Sequence, residues 1–254
     1  MMPNILQQII VEKRMTLAAA KAHRPVIEIK RRCADLPPTH GFAEALEKPG
    51  IRIIAEAKQA SPSKGRIVKT GFHVPSIVQA YEAGGAAACS ILTEERFFLG
   101  SLDFLRQARQ ITKLPLLRKD FIFDAYQIFE ARDAGADAVL LIAAMLEDAQ
   151  LEDLAAQASV LGLDVLGEAH IQEEVARLAA LGIRIIGVNA RDLKTFRTDL
   201  SAVRTLLREV PPTSLAVAES AIFSKADMHA TGATRFLIGE ALMRNPSLLP
   251  ELLA

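Results

Sequence analysis

Short apolar runs separated by amphipathic stretches recur eight times along the chain, and polar or charged residues close most of them. The runs read IRIIAEAK, AAACSIL, LPLLRK, ADAVLLI, LDVLGE, RIIGVN, SLAVAES and RFLIG. Their shortness and aliphatic content predict strands buried on both faces. Between them the apolar period lengthens to that of a helix. Leu151, Leu154, Ala155, Ala158 and Leu161 share one face, as do Ile171, Val175 and Leu178, and again Val203, Leu206, Leu207 and Val210. Glycines follow several of these stretches (Gly84-Gly85, Gly135, Gly162, Gly182, Gly232) and predict left-handed helix caps. A doubly wound sheet would also alternate strands and helices. Eight regular units, with no early G-x-G-x-x-G, favour closure into an α/β (β/α)8 barrel.

Residues 1–50 precede the first run. Ile5, Leu6, Ile9 and Ile10 fit one helical face, Arg14 to Arg24 is more polar, and Pro25 restarts a short mixed segment. Pro37 and Pro38 mark a turn, and Phe42, Ala45 and Leu46 predict a short helix ended by Pro49-Gly50. This stretch is too short for its own core. The expectation is a single domain over 1–254 with a helical extension, 1–50, packed on the barrel.

Composition changes this picture little. A chain of 254 residues buries a sizeable core without a metal or a disulfide. Thirty basic and thirty acidic side chains cancel, no basic block is present, and Trp is absent, which argues against nucleic acid as a partner. No stretch has the length and continuity of a membrane span, and MMPNILQQIIVEKR lacks the layout of a secretory signal. Cys33 and Cys89 are far apart, and Cys89 falls inside an apolar run. The expected compartment is the cytoplasm. Five scattered histidines offer no evident catalytic zinc site.

The residues closing the runs carry the candidate chemistry. Glu56 and Lys58 lie two apart, so both point into the same barrel mouth, as a structural ion pair or as a functional one. The loop after them, from Ser61 to Gly65, is rich in small donors, with Lys64 available to an anion. Lys119 closes the third run. Charged at pH 7, it can protonate a developing alkoxide or merely orient a carboxylate, and Lys58 nearby would lower its pKa by repulsion. Glu168 closes the fifth run, where desolvation would raise its pKa and make it a better base. Gly167 beside it would allow chain or substrate to approach. His170 reads as a helix-start or surface residue. Asn189 and Arg191 close the sixth run and suit a carboxylate or hydroxyl, although Arg191 could instead bridge to Glu168 or Asp192. Glu219 and Ser220 close the seventh. Gly239 and Glu240 open the last loop, where barrels of this type commonly bind phosphate.

Five ordered pieces, AEAKQASPSKG, SILTEERFFLGS, LLRKDFIFDAYQIFEARDAGADAVLLI, GVNARDLKTF and FLIGEALMRNP, resemble the indole-3-glycerol phosphate synthase family of tryptophan biosynthesis. The resemblance covers nearly the whole chain and includes the extra N-terminal segment, which in that family lies over the barrel mouth. It implies conversion of 1-(2-carboxyphenylamino)-1-deoxyribulose 5-phosphate to indole-3-glycerol phosphate, carbon dioxide and water, with no cofactor or metal. It implies Lys119 as general acid and Glu168 as general base. Glu56, Lys58, Asn189 and Glu219 complete the catalytic set, and Arg191 and Ser220 contact substrate. Phosphate contacts fall on Ser61, Ala221, Gly239 and Glu240, and Phe121 and Leu140 shape an apolar pocket for the aromatic ring. Association with other enzymes of the pathway is a further implication.

The chain departs from the family pattern at several points. Ala221 stands where a glycine is usual, Ala190 and Asp192 replace asparagines, and Gly167 replaces a valine. If the loop at Ala221 needs positive φ, the methyl group costs roughly 1–2 kcal/mol and weakens phosphate binding. Two other readings compete. One is an isomerase or lyase acting on a different sugar phosphate, which would need less of this charged set. The other is a noncatalytic binding or assembly subunit, which would be expected to have lost Lys119 or Glu168.

Overall fold

The computed structural model describes residues 5–68, 70–189, 191 and 199–254; Ala190 and Asp192 lie outside them. Three helices come first: α1 (Ile5–His23), α2 (Val26–Ala34) and α3 (Phe42–Glu47). The eight apolar runs follow as parallel strands. They are β1 (Arg52–Ala57), β2 (Ala88–Leu92), β3 (Leu116–Lys119), β4 (Ala138–Ile142), β5 (Asp164–Ala169), β6 (Ile185–Asn189), β7 (Leu215–Glu219) and β8 (Arg235–Ile238). They close in chain order into a barrel, with β1 paired to both β2 and β8.

The strand period of two sorts the interior into layers. Ile54, Leu117, Leu166, Ile185 and Val217 share one buried cluster inside the barrel. Two residues further along the same strands stand Glu56, Lys119, Glu168, Gly187 and Glu219. The charged layer is thus stacked directly on the apolar one.

The amphipathic stretches supply the outer ring: α4 (Val74–Ala83), α5 (Leu102–Ile111), α6 (Ala125–Asp133), α7 (Asp148–Val160), α8 (Gln172–Ala180), α9 (Leu200–Leu207) and α10 (Lys225–Thr231), then the short α11 (Glu240–Arg244) and α12 (Leu248–Leu253). Leu151, Leu154 and Ala158 of α7 are buried against the strands, as are Val175 and Leu178 of α8 and Val203 of α9. Ile171 does not share the α8 face. It is the N-cap and is 50% exposed. Gly232, at φ 70°, supplies the left-handed cap of α10.

The extension does more than cover the mouth. Ile9 of α1 belongs to the same buried cluster as Phe121 and Leu140, with Ile5 and Leu6 packed on it, so the start of α1 reaches the mouth side. The polar part of α1 then fastens to the barrel flank. Lys13 meets Asp120 at 2.7 Å, Lys21 meets Asp124 at 2.7 Å and Arg24 meets Asp133 at 2.6 Å. Asp133 also takes Arg32 of α2, and the Tyr126 hydroxyl donates to Ala20 O and Arg24 O. Finally α3 plugs the opposite end. Phe42, Ala43 and Leu46 are fully buried under the strand starts. Arg52 and Arg235 at those starts donate to the carbonyls of Ala45 and Leu46.

Candidate active site

The C-terminal ends of the strands surround one cleft. Of the residues singled out in the sequence, Glu56, Lys58, Ser61, Lys119, Phe121, Leu140, Glu168, Asn189, Arg191, Glu219, Ser220, Ala221, Gly239 and Glu240 all line it. Lys64 is exposed and stands outside that lining. Asp120, between Lys119 and Phe121, is buried; it accepts from Lys13, Thr93 and Arg118 and so ties the end of β3 to α1. The loop after β3 is fixed by a capping box. Asp124 accepts from Tyr126 N, and Gln127 accepts from Asp124 N. The Gln127 amide also donates to Phe121 O at 2.9 Å, which holds the backbone of that aromatic at the cleft wall.

Lys119 is the centre of the charged layer. Its Nζ donates to Glu168 Oε2 at 2.6 Å and to Glu219 Oε2 at 2.9 Å. Burial opposes its charge, but Glu168, Glu219 and Glu56 together outweigh burial and raise its pKa. The expected lowering by Lys58 is therefore overturned. Lys58 is occupied by Glu56 at 2.5 Å, and the carboxylates dominate around Lys119.

The two carboxylates on Lys119 differ. Burial alone would raise both. At Glu168 the charges of Lys119 and His170, with hydrogen bonds from Lys119 and Asn189, reverse this and bring the pKa down to about 2. The expectation that desolvation wins at Glu168 is thus corrected: its partners win. At Glu219 burial prevails over Lys119, aided by repulsion from Glu168 and Glu56, and the pKa rises to about 7. The geometry gives the reason, because among the described residues Glu219 Oε1 is buried without a hydrogen-bond partner. Glu219, not Glu168, is the carboxyl whose pKa is raised.

Two glycines act through close approach. A Cβ at Gly187 would lie 2.0 Å from Glu219 Oε1, so this glycine makes room for that carboxylate. Gly167 faces the other way, and a Cβ there would meet Leu178 Cδ2 at 2.7 Å. It admits α8 against β5 and does not serve the approach of substrate. His170 is not a surface residue; its side chain is 11% exposed, between Glu168 and Glu174.

The opposite side of the cleft offers polar groups in waiting. Among the described residues, Ser61 Oγ and Arg191 Nε are buried without partners. Arg191 reaches Ser63 Oγ through Nη1 at 3.0 Å, and its backbone N–H donates to Asn189 Oδ1. Ser220 and Ala221 both have positive φ, 68° and 56°. The condition attached to Ala221 is therefore met, and an alanine sits where backbone sterics favour glycine. Glu240 is turned aside by Arg244 at 3.0 Å, which leaves the start of α11 less negative than its sequence reads.

Sequence reasoning missed part of the apolar wall. Leu92, Ile142 and Leu237 line the cleft, and all are inward positions of their strands, so the period of two could have found them. Phe98 had no such signal. It lies in the loop after β2, with its ring 6.0 Å from that of Phe121. The buried Glu94 carboxylate accepts from the backbone N–H groups of Arg96, Phe97 and Phe98 and so shapes this loop. Among the described residues, no group of three or more His, Cys, Asp or Glu could hold a metal ion.

Comparison with known proteins adds to this geometry. A family model described as indole-3-glycerol phosphate synthase matches residues 6–252. A protein of that name from Rhodopirellula baltica is 46% identical over 251 residues, covering 96% of each chain. Another from Albidiferax ferrireducens is 45% identical over 254 residues, covering 96% of this chain and 95% of that one. Among solved structures, thiamine phosphate pyrophosphorylase from Pyrococcus furiosus matches with a TM-score of 0.58 at 18% identity, over 80% of this chain and 93% of that one. N-acetylmannosamine-6-phosphate 2-epimerase from Clostridium perfringens matches with a TM-score of 0.59 at 15% identity, over 79% and 91%. At such identity these two speak for the barrel fold alone.

Proposed function

The chain belongs to the indole-3-glycerol phosphate synthase family, and on that premise we propose which of its residues carry the reaction. The activity is ring closure, decarboxylation and dehydration of 1-(2-carboxyphenylamino)-1-deoxyribulose 5-phosphate in tryptophan biosynthesis. The observation that carries the assignment is Lys119, held between Glu168 and Glu219 with apolar residues on one side of the cleft and phosphate-ready groups on the other.

The arene ring lies against Phe121, Leu140 and Phe98, and the phosphate lies at Ser61, the Ser220-Ala221 turn, Gly239 and the backbone of Glu240. Bound at both ends, the flexible substrate folds so that the arene carbon bearing the carboxylate meets the ketone carbon, a positioning task. Lys119 gives its proton to the ketone oxygen as the C–C bond forms. The substrate nitrogen becomes an iminium, takes the electron pair of the C–CO2 bond, and carbon dioxide leaves. The new hydroxyl departs as water with a proton from the lysine pair, and Glu168 removes the ring proton that restores aromaticity. Arg191 and Asn189 hold the substrate's polar groups. Counted over the cycle, the carboxylate's negative charge is lost and one proton is taken from solvent.

The same reading places the enzyme in the cytoplasm, as one domain with its extension, acting on a small anionic phosphate and not on nucleic acid. The cluster shared by α3 and the barrel strands supports one domain, and two buried free cysteines suit a reducing compartment. Among the described residues no helix is long and apolar enough to cross a membrane. Association with other enzymes of the pathway is part of this proposal and is checked by co-purification. The deciding experiment follows indole fluorescence during incubation with the carboxyphenylamino-deoxyribulose phosphate. Product must form with the wild type and collapse in Lys119→Ala and Glu168→Ala. Full activity in either variant removes that residue from its role.

A further inference from the structure

His170 stands behind Glu168, away from the substrate side. Its Nε2 lies 3.4 Å from Glu168 Oε1 and its Nδ1 lies 3.5 Å from Glu174 Oε2. Both ring nitrogens are buried, each facing one of these carboxylates. Glu174, in the first turn of α8, also accepts from the backbone N–H of His170 at 2.7 Å, so one carboxylate fixes both the end of β5 and its imidazole. Burial works against a charged ring here. Glu174, Glu168 and Glu219 overcome it and raise the His170 pKa above its ordinary value.

This arrangement bears on a problem set by the catalytic cycle. In the free enzyme the ammonium of Lys119, from β3, compensates the buried Glu168. Once Lys119 turns to the ketone oxygen and gives up its proton, that compensation is gone. A buried carboxylate without a counter-charge picks up a proton, and a protonated Glu168 cannot serve as a base. The groups facing Glu168 and His170 are Lys119 on β3, Glu219 on β7 and Glu174 on α8, and Glu219 repels charge on Glu168. Among the described residues, the cation that remains at Glu168 is then His170.

We propose that His170 is a positioning residue acting through Glu168: its imidazolium, anchored by Glu174, keeps the base ionised while Lys119 is engaged with substrate. The inference rests on the reading of Glu168 as the base. It also gives Glu174 a task beyond capping α8.

The test compares kcat against pH for the wild type, His170→Asn and Glu174→Gln, with the histidine ring protons of the wild type and of Glu174→Gln followed by NMR across the same range. Circular dichroism confirms folding. In His170→Asn the acid limb should move up by about one pH unit or more, as expected for loss of an opposite charge within 4–6 Å. At pH values below the wild-type limb this reads as a roughly tenfold loss of kcat, and the loss vanishes at pH values well above the shifted limb. Glu174→Gln should shift the limb the same way by less and lower the His170 pKa. An acid limb unmoved in folded His170→Asn, or a His170 pKa at or below its ordinary value in the wild type, overturns the proposal. Glu168→Gln separates the two levels. If it stays active, the assignment of the base has failed; if it is dead while His170→Asn keeps the wild-type limb, only the role of His170 has failed.

Discussion

The two ends of the barrel are built from the same eight strands by opposite rules. At the strand starts, α3 inserts Phe42 and Leu46 without exposed surface, and Arg52 and Arg235 close over carbonyls. At the strand ends, three carboxylates and Lys119 crowd one layer, and among the described residues Glu219 Oε1, Ser61 Oγ and Arg191 Nε are buried and unpaired. Ser220 and Ala221 there hold left-handed backbone. One end is optimised for the folded state alone. The other keeps interactions open that only a ligand can close, at a cost in stability.

The sharpest way to break this contrast is at Lys119. Lys119→Met should lower kcat by about a hundred- to ten-thousand-fold, the range of general acid catalysis, and it leaves Glu168 and Glu219 facing each other without their cation. Steady-state kinetics checks it. A Lys119→Met enzyme with near wild-type kcat would mean that the charged layer is structural, like the opposite end. The matching change at that end is Leu46→Ala, which should cost about 2–5 kcal/mol in urea unfolding and leave kcat/KM of the folded fraction unchanged. A kinetic defect there would show that the two ends are coupled.

Glu219→Gln tests the cost of the open end. The folded pKa of Glu219 is raised from 4.5 to about 7, so the folded state binds more protons between those values, and stability falls as pH rises through that window. Glutamine removes the fall. The variant should therefore gain on the order of 3 kcal/mol over the wild type at pH 8 and little at pH 4.5, as thermal unfolding at the two pH values would reveal, while losing activity. Glu168 has the opposite sign. Its lowered pKa stabilises above 4.5 and loses that contribution as pH falls toward 2, outside the Glu219 window. An equal gain for Glu219→Gln at both pH values would refute the assignment of the raised carboxyl to Glu219.

The smallest effect is expected at Ala221. With φ at 56°, Ala221→Gly should relieve about 1 kcal/mol of backbone strain and lower KM by improving the phosphate turn. Unchanged substrate affinity would sink the idea that the methyl group weakens phosphate binding, even if stability rises.

Much of the site was legible because a strand has a period of two and a barrel exposes its strand ends. Glu56, Lys119, Glu168, Asn189 and Glu219 follow inward apolar or glycine positions, so reading the strands placed the charges on one cleft. Phe98 and Asp120 were not legible in this way. Phe98 is placed by a loop wrapped on Glu94, and Asp120 by Lys13, more than a hundred positions away in the chain. His170 does stand at the start of α8, but its burial was not legible for the same reason, since it depends on Glu174 across the helix start and on the depth of the β5 end.

By itself, then, the sequence determined the alternation of strands and helices, their closure into a barrel, the family, and which side chains face the mouth. These follow from local periodicity and from residues whose order is fixed along the chain. Only the tertiary structure decided which carboxylate is held low and which is raised, that Lys119 is shared between them, and that the extension spans the barrel from mouth to base. Those outcomes depend on distances of a few ångströms between residues far apart in sequence, where burial and opposite charge compete and a single unpaired oxygen changes the result.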